Sequence, residues 1–134
     1  MPSVIELHDS VVTRFDERDG SIVIRLSPAW LHRAPSKPGI EAGEVFTLDL
    51  DIILSSATIS VPFTEIPTEL QGGAVTVGNE RFDNCIPFPL DATCNINVEL
   101  IDYYGRDVRV IAKSVSLVAA TEERYAENFP GTEA

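Results

Sequence analysis

Short segments of alternating apolar and polar residues dominate this 134-residue chain. The clearest covers residues 46–52, which read FTLDLDI, so that every second side chain is apolar. A pleated strand points successive side chains to opposite faces, and such a segment can therefore bury one face while water covers the other. The inward-facing set predicted for this strand is Phe46, Leu48, Leu50 and Ile52.

Two hairpins are predicted from turn residues between such segments. The Asp19-Gly20 pair follows an alternating segment at residues 4–16 and precedes another at residues 21–26, an arrangement typical of a β-hairpin. A second, shorter hairpin is predicted over residues 72–83, where glycines bracket a short apolar run.

A further strand is predicted where Ile96, Val98 and Leu100 alternate with polar residues, and these three side chains are expected to point inward. The apolar phase of the next segment changes after Lys113. Since one extra residue turns every later side chain to the other face, we predict a β-bulge near Lys113 and Ser114.

Residues 27–43 interrupt the alternation with three prolines and two glycines. Proline has no amide hydrogen for a ladder, so we predict a long ordered loop, the kind of segment on which functional side chains are often found. The candidate site residues are Trp30, His32 and Arg33 of this loop, with Tyr103 and Tyr104. They form a candidate platform for a sugar or a partner protein, because Trp, Tyr and Arg are enriched at binding hot spots. Alternatively, Trp30 packs into the core with its indole N–H hydrogen-bonded.

The predicted fold class is all-β: an antiparallel β-sandwich, with an antiparallel barrel as the alternative, built from about eight short strands. A chain of this length suits a single domain, residues 1–134. Residues 121–127 begin with a threonine followed by acidic residues, which favours a short C-terminal helical turn. Residues 128–134 are expected to fray.

The charge of the chain restricts its partners. Twenty-one acidic residues face ten basic ones, a formal charge of −11. Such a surface repels phosphate backbones and anionic lipid headgroups, so we expect neither nucleic-acid nor membrane binding. The same field would speed the encounter with a basic protein partner. The alternative interpretation is that the acidity serves solubility alone.

The N-terminal residues and the cysteines bear on the compartment. The opening residues MPSVIE lack the basic and apolar regions of a secretory signal peptide, and the uncharged run 52–64 is too short and polar for a membrane span. We therefore expect a cytoplasmic protein. Because cytosolic thiols stay reduced, Cys85 and Cys94 are expected to be free, with a disulfide between them as the alternative.

The sequence offers only weak candidates for catalytic or metal-binding residues. Asp49 and Asp51 share an outward face, but cation ligands usually come from a tight loop, so a solvent-facing role is favoured. His8, Asp9 and Ser10 have the residue types of a nucleophilic triad. They cannot form one locally, because neighbouring strand residues point to opposite faces. We predict no catalytic residue, no metal and no cofactor, and hence a protein that is not an enzyme.

Three short segments carry a resemblance to a family. They are LHDS at residues 7–10, NCIPFPL at residues 84–90 and the tail at residues 125–129. Together they resemble small uncharacterised bacterial all-β proteins, and the LHD opening is similar to that of immunity proteins of polymorphic toxin systems. The resemblance implies a small cytoplasmic bacterial protein that is not an enzyme, and it supplies no catalytic residues.

The leading hypothesis is a non-enzymatic protein-binding domain, in its specific form an immunity-type inhibitor of a basic toxin. It depends on the charge of −11 and on the resemblance. The alternative is a small-molecule or carbohydrate-binding β-domain that uses the aromatic loop. A homodimer is also predicted, because the uncharged residues 74–77 look like an unprotected sheet edge that could pair with a second copy.

Overall fold

The computed structural model describes residues 1–132, which form antiparallel strands. In this part of the chain the strands are β1 (Ser3–Glu6), β2 (Val11–Arg18), β3 (Ser21–Arg33), β4 (Gly43–Ser55), β5 (Thr58–Val61), β6 (Thr68–Glu69), β7 (Gly72–Val77), β8 (Glu80–Asp83), β9 (Cys85–Phe88), β10 (Asp91–Ile101), β11 (Asp107–Ala119) and β12 (Arg124–Phe129). Within these residues, no helix has the length and apolar character needed to cross a membrane. The predicted all-β antiparallel fold class is confirmed.

The ladder between β3 and β4 lies at the centre of the sheet, and each of these strands is 13 residues long. On the outer side of β3, the first half pairs with β2 and the second half with β1. On the outer side of β4, the first half pairs with β12 and the second half with β11. Two wings of the sheet therefore share one pair of long strands.

The strands form one curled sheet. One wing has the order β6-β2-β3-β4-β11-β10-β7-β8, and the other continues from β3 through β1 to β9. The sheet curls into a half-barrel. Asn84 joins its far ends, because the Asn84 amide donates to the Gly73 carbonyl and the Asn84 carbonyl accepts from the Leu7 amide, at 2.8 and 2.7 Å. One curled sheet is closer to the predicted alternative, a barrel, than to two stacked sheets.

The core lies on the inner face of this curve. The predicted inward residues that are buried are Leu48, Leu50, Ile52, Ile96, Val98 and Leu100. Phe46 is only partly buried: it packs against the rim of the core, with the Tyr125 ring edge-on at 6.0 Å between centroids. The alternation in the sequence thus identifies the inner face of both strands.

The prediction of a loop at residues 27–43 is correct only for residues 34–42. Residues 27–33 belong to β3, and only residues 34–42 lie outside the strands. The ladder between β3 and β4 shifts its register between Leu26 and Ala29. This irregularity contains Pro28, which has no amide hydrogen to offer, so the strand can continue past the proline.

The helical turn predicted at residues 121–127 is also wrong. The second half of this segment is the start of β12, which pairs with β4. Arg33 forms an ion pair with Glu123, and the Tyr125 ring packs on Phe46. These contacts with residues distant in sequence override the local helical preference of an N-cap residue followed by acids.

The predicted frayed tail is ordered as far as the structure describes it. β12 extends to Phe129, and the Thr132 amide donates to the Ile40 carbonyl at 2.8 Å. Gly131 has a φ of +92° and lies against the backbone of residues 40–42, so this position favours glycine. Residues 133–134 of the predicted tail lie outside the described residues.

The predicted sheet edge at residues 74–77 is wrong, because β7 is hydrogen-bonded to β10 on one side and to β8 on the other. Ala74 and Val75 are almost completely buried. This strand therefore offers no free amides to a second copy, and the edge-to-edge pairing expected there is excluded. The homodimer itself stays a prediction.

The irregularity predicted near Lys113 is present, but on the neighbouring strand. The buried face of β11 changes phase between Ala112 and Val115, as the sequence indicates. The extra residue lies in β10, where the register shifts between Thr93 and Ile96, opposite Lys113. An extra residue in either strand shifts the register of the pair. The sequence of one strand therefore does not show which of the two carries the bulge.

Replacing Leu50 by alanine tests the inner face of β4. Leu50 has no exposed surface, so Leu50→Ala should lower the free energy of unfolding by about 2–5 kcal/mol. The control is Ile111→Ala on β11, where the side chain is 53% exposed and the expected loss is about 1 kcal/mol or less. Urea denaturation measures both, and equal losses would contradict the described burial.

Candidate functional site

The turn between β1 and β2 carries His8 and Asp9, and it separates two clefts. The Trp30 cleft, of about 220 Å³, is lined by Glu6, His8, Asp9, Trp30, His32, Val45, Glu127 and Phe129. The Tyr103 cleft, of about 360 Å³, is lined by His8, Asp9, Glu69, Leu70, Gln71 and Tyr103. Because both clefts share the turn, we treat them as one surface and call it the acidic groove.

The turn is fixed by hydrogen bonds to three other parts of the chain. The His8 amide donates to the side-chain oxygen of Asn84 at 2.8 Å, and the Asp9 amide donates to the Leu70 carbonyl at 3.0 Å. The Asp9 carbonyl accepts the indole N–H of Trp30 at 3.1 Å. Asp9 has a φ of +71°, a conformation that Asp tolerates better than most residues. The groove is therefore built around an anchored turn.

Trp30 combines features of both alternatives considered for it. Its indole N–H is hydrogen-bonded, as a packed tryptophan requires. The side chain is nevertheless only half-buried and lines a cleft on the outer face of the sheet rather than filling the core. Its backbone amide donates to the Ser10 hydroxyl at 3.2 Å, which ties β3 to the same turn.

His32 is the most deeply buried polar side chain of the Trp30 cleft, with 8% of its side chain exposed. Its Nε2 lies 2.5 Å from a carboxylate oxygen of Glu6, and its ring packs edge-on against Phe129 with 4.8 Å between centroids. Because a carboxylate only accepts, Nε2 carries the hydrogen of this contact, and in the neutral tautomer of this kind Nδ1 is an acceptor. Within residues 1–132, this buried Nδ1 has no hydrogen-bond partner.

Negative charge dominates the groove. Its carboxylates are those of Glu6, Asp9, Glu69 and Glu127, and no lysine or arginine lines either cleft in the described part of the chain. His8 lies between two of them, with its Nδ1 3.3 Å from Asp9 and 3.7 Å from Glu6. The arrangement suits a positively charged ligand.

Arg33, a predicted site residue, lies outside the groove. Its guanidinium donates to both carboxylate oxygens of Glu123, at 2.8 and 2.6 Å, and lies over the Phe46 ring. These bonds lower the pKa of the Glu123 carboxyl and raise that of Arg33. Arg33 therefore anchors the segment before β12 and does not line either cleft.

The two predicted tyrosines have different surroundings. Both lie on the turn after β10 and are more than half exposed, but only Tyr103 lines the groove, while Tyr104 lies beneath the guanidinium of Arg106. The turn is organised by Asp102, whose side chain is 1% exposed and accepts from the amides of Tyr104 and Arg106 and from the Arg106 guanidinium. Asp102 thus positions Tyr103, which forms one wall of the Tyr103 cleft.

Several groove residues were not predicted from the sequence, among them Glu6, Glu69, Glu127 and Phe129. Glu6 and His8 stand two positions apart in the opening segment, a spacing that shares one face of a strand, so Glu6 was accessible to sequence reasoning. Glu127 and Phe129 were assigned to a helical turn and a frayed tail. No local signal brings that segment to the opening strand.

The outward carboxylates of β4 join neighbouring segments. Asp51 accepts two hydrogen bonds from Arg25, at 2.5 and 2.9 Å, and Asp49 accepts one from the Ser27 hydroxyl at 2.6 Å. Across residues 1–132, no group of three or more His, Cys, Asp or Glu side chains is placed to hold a metal ion. These two aspartates therefore have a structural explanation.

Cys85 and Cys94 are free thiols on β9 and β10. Cys85 is the register partner of Glu6. Burial raises the pKa of the Cys85 thiol, and the nearby negative charge of Glu6 raises it further. Because the thiolate is the reactive form, the fold suppresses the reactivity of Cys85.

Comparison of the chain with protein-family models, curated proteins and solved structures finds no match. The resemblance of residues 7–10, 84–90 and 125–129 to bacterial immunity proteins therefore stays a prediction. In the fold, these segments meet at one place: the first forms the anchored turn, Asn84 holds that turn, and residues 127 and 129 line the Trp30 cleft.

Alkylation of Cys85 tests the influence of burial and of Glu6. In a Cys94→Ser background, the rate of iodoacetamide alkylation should reach half its maximum at a higher pH in the folded protein than in urea. Glu6→Gln should move that midpoint to lower pH because it removes the neighbouring charge, whereas Glu80→Gln, on the distant β8, should leave it unchanged. Equal rates for the folded and unfolded protein at pH 8 would contradict the burial of the thiol.

Asp102→Asn tests whether the Asp102 carboxylate stabilises the turn after β10. Burial alone would raise the pKa of Asp102, but hydrogen bonds from Arg106 and Tyr104 lower it overall. The carboxylate therefore stabilises the fold above the ordinary Asp pKa of about 3.9, and this contribution is lost as the pH falls through the lower folded-state pKa. We expect the variant to lose about 1–3 kcal/mol at pH 7 and less at pH 2.5, measured by urea denaturation. Asp83→Asn, with a side chain 74% exposed, is the control and should change little. A loss that does not depend on pH would contradict a charged Asp102.

Proposed function

We propose that this chain is a non-enzymatic protein-binding domain whose acidic groove engages a basic segment of a partner protein. The observation that supports this most directly is the lining of the groove: four carboxylates and no lysine or arginine in the described part of the chain. Since opposite charges accelerate docking and suppress wrong partners, such a lining favours a basic partner.

The positions of the arginines strengthen this argument. Six of them form ion pairs with carboxylates of the same chain, away from the groove: Arg14, Arg25, Arg33, Arg81, Arg106 and Arg109. Paired charges largely cancel at a distance. The carboxylates of the groove therefore contribute strongly to the field that an approaching protein meets.

Aromatic side chains add the apolar part of a binding surface. Trp30 and Phe129 line one cleft, and the exposed Tyr103 lines the other. Aromatic faces attract ammonium and guanidinium groups and cover the alkyl stems of lysine and arginine. Because the Trp30 ring is already fixed by its hydrogen bond to Asp9, binding costs little side-chain entropy at this position.

The specific form that we propose is an immunity-type inhibitor of a basic toxin in the bacterial cytoplasm. It combines the charge of −11 with the resemblance of the three short segments to immunity proteins. An acidic groove would inhibit such a toxin by covering a basic cleft that normally receives an anionic substrate.

A second candidate is carbohydrate or small-molecule binding in the Tyr103 cleft. Tyr103 is 58% exposed, and Gln71, Glu69 and Asp9 place an amide and two carboxylates beside it. Sugar rings stack on aromatic faces while their hydroxyls bond to such groups. The side-chain amide of Gln71 donates to the Tyr103 carbonyl at 2.6 Å, which fixes the position of Tyr103 in the wall of this cleft.

The protein-binding proposal is tested by partner capture from the native host, followed by association kinetics on the purified pair. We expect a basic partner whose association rate constant falls about tenfold or more between 20 and 300 mM NaCl. A groove variant with Asp9→Asn, Glu69→Gln and Glu127→Gln should slow association further.

The control removes the same charge elsewhere, with Glu17→Gln, Glu80→Gln and Asp91→Asn at exposed positions. Equal slowing by both triple variants, or an association rate that is insensitive to salt, would contradict the groove as the docking surface. In parallel, titration calorimetry with a panel of sugars tests the second candidate, which saturable binding that is lost in Tyr103→Ala would support.

A further inference from the structure

The Trp30 cleft has the size of a single side-chain pocket. Its volume of about 220 Å³ is below the roughly 300–1,000 Å³ typical of pockets for drug-sized ligands. Trp30 and Phe129 contribute rings, and Glu6 and Glu127 contribute carboxylates. Space of this size holds the end of one long side chain or a small amine, but not a folded segment.

His32 adds a second, independent requirement. In the neutral tautomer that donates from Nε2 to Glu6, the buried Nδ1 is an acceptor, and it has no hydrogen-bond partner within residues 1–132. A buried acceptor left unpaired costs free energy, which a ligand N–H can recover. The cleft therefore calls for a ligand that is positively charged and also donates hydrogen bonds.

We infer that the Trp30 cleft binds the terminal ammonium or guanidinium group of an alkyl chain. In the function proposed above, on which the biological source of the ligand rests, this group is a lysine or arginine side chain of the basic partner. The alkyl stem lies against Trp30 and Phe129, and the cationic end donates to Glu6, to Glu127 and to Nδ1 of His32.

The charged groups around the cleft set the conditions for testing it. His8 faces Glu6 and Asp9, so its protonation would compete with a cationic ligand for the same carboxylates. Measurements at pH 8, where an imidazole is ordinarily neutral, avoid this competition. Constant ionic strength keeps general screening equal among the probes.

The experiment uses the single tryptophan of the chain as a local reporter. The indole N–H resonance of Trp30 in ¹⁵N-labelled protein is followed during titration with n-butylammonium, n-butylguanidinium, n-butyltrimethylammonium and n-butanol. We expect saturable shifts with the first two, with dissociation constants on the order of 1 mM. The better of the two identifies lysine or arginine as the preferred source.

Two probes separate the parts of the inference. n-Butanol lacks charge and n-butyltrimethylammonium lacks N–H donors, so both should bind at least about fivefold more weakly than n-butylammonium. Equal binding of n-butanol overturns a cation site. Equal binding of the trimethyl compound overturns the role of His32. Absence of any saturable shift up to 100 mM of either cation overturns the inference altogether.

Matched variants locate the site. Glu127→Gln should weaken n-butylammonium binding about threefold or more, whereas Glu80→Gln removes the same charge on the distant β8 and should not. Equal effects of the two variants overturn the assignment to this cleft. If the partner binds through the groove but small cations do not, only this inference fails. If small cations bind but no basic partner depends on the groove, only the proposed function fails.

Discussion

The shared ladder between β3 and β4 is the constraint on which the rest of the structure depends. Both strands are long enough to carry two different partners on each outer side, so the two wings of the sheet hold their positions through a single pair. The second half of β3 is also where Trp30 and His32 lie. A slip of β4 by one residue would move Leu50 from the core to solvent, and the same slip of β3 would remove Trp30 and His32 from the cleft.

The strands were predictable because burial leaves a period of two in the sequence. Leu48, Leu50 and Ile52 reveal their inner face without any knowledge of their neighbours. β12 was not predictable, since Thr121 and the acids after it favour a helical turn locally. The segment becomes a strand through contacts with Arg33 and β4, which are distant in sequence. Pro28 was misleading for the same reason, because the irregular register that accommodates it belongs to the pair and not to β3 alone.

The candidate site was half predictable. Residue type alone selected Trp30, His32 and Tyr103, which the fold places on either side of the turn at His8 and Asp9. It also selected Arg33 and Tyr104, which serve structural contacts outside the groove, since exposure and pairing cannot be read from a residue's type. The carboxylates that give the groove its character come from strands whose adjacency only the topology reveals.

The Trp30 cleft joins residues that lie far apart in the chain, with Glu6 on β1 and Phe129 on β12. β12 is almost wholly exposed and, within the described residues, its ladder partner is β4 alone, so it can separate without opening the main core. Local opening of this kind costs less free energy than global unfolding. Affinity for a cation in the cleft would therefore include the docking equilibrium of one peripheral strand, and heating would abolish binding below the melting temperature of the sheet.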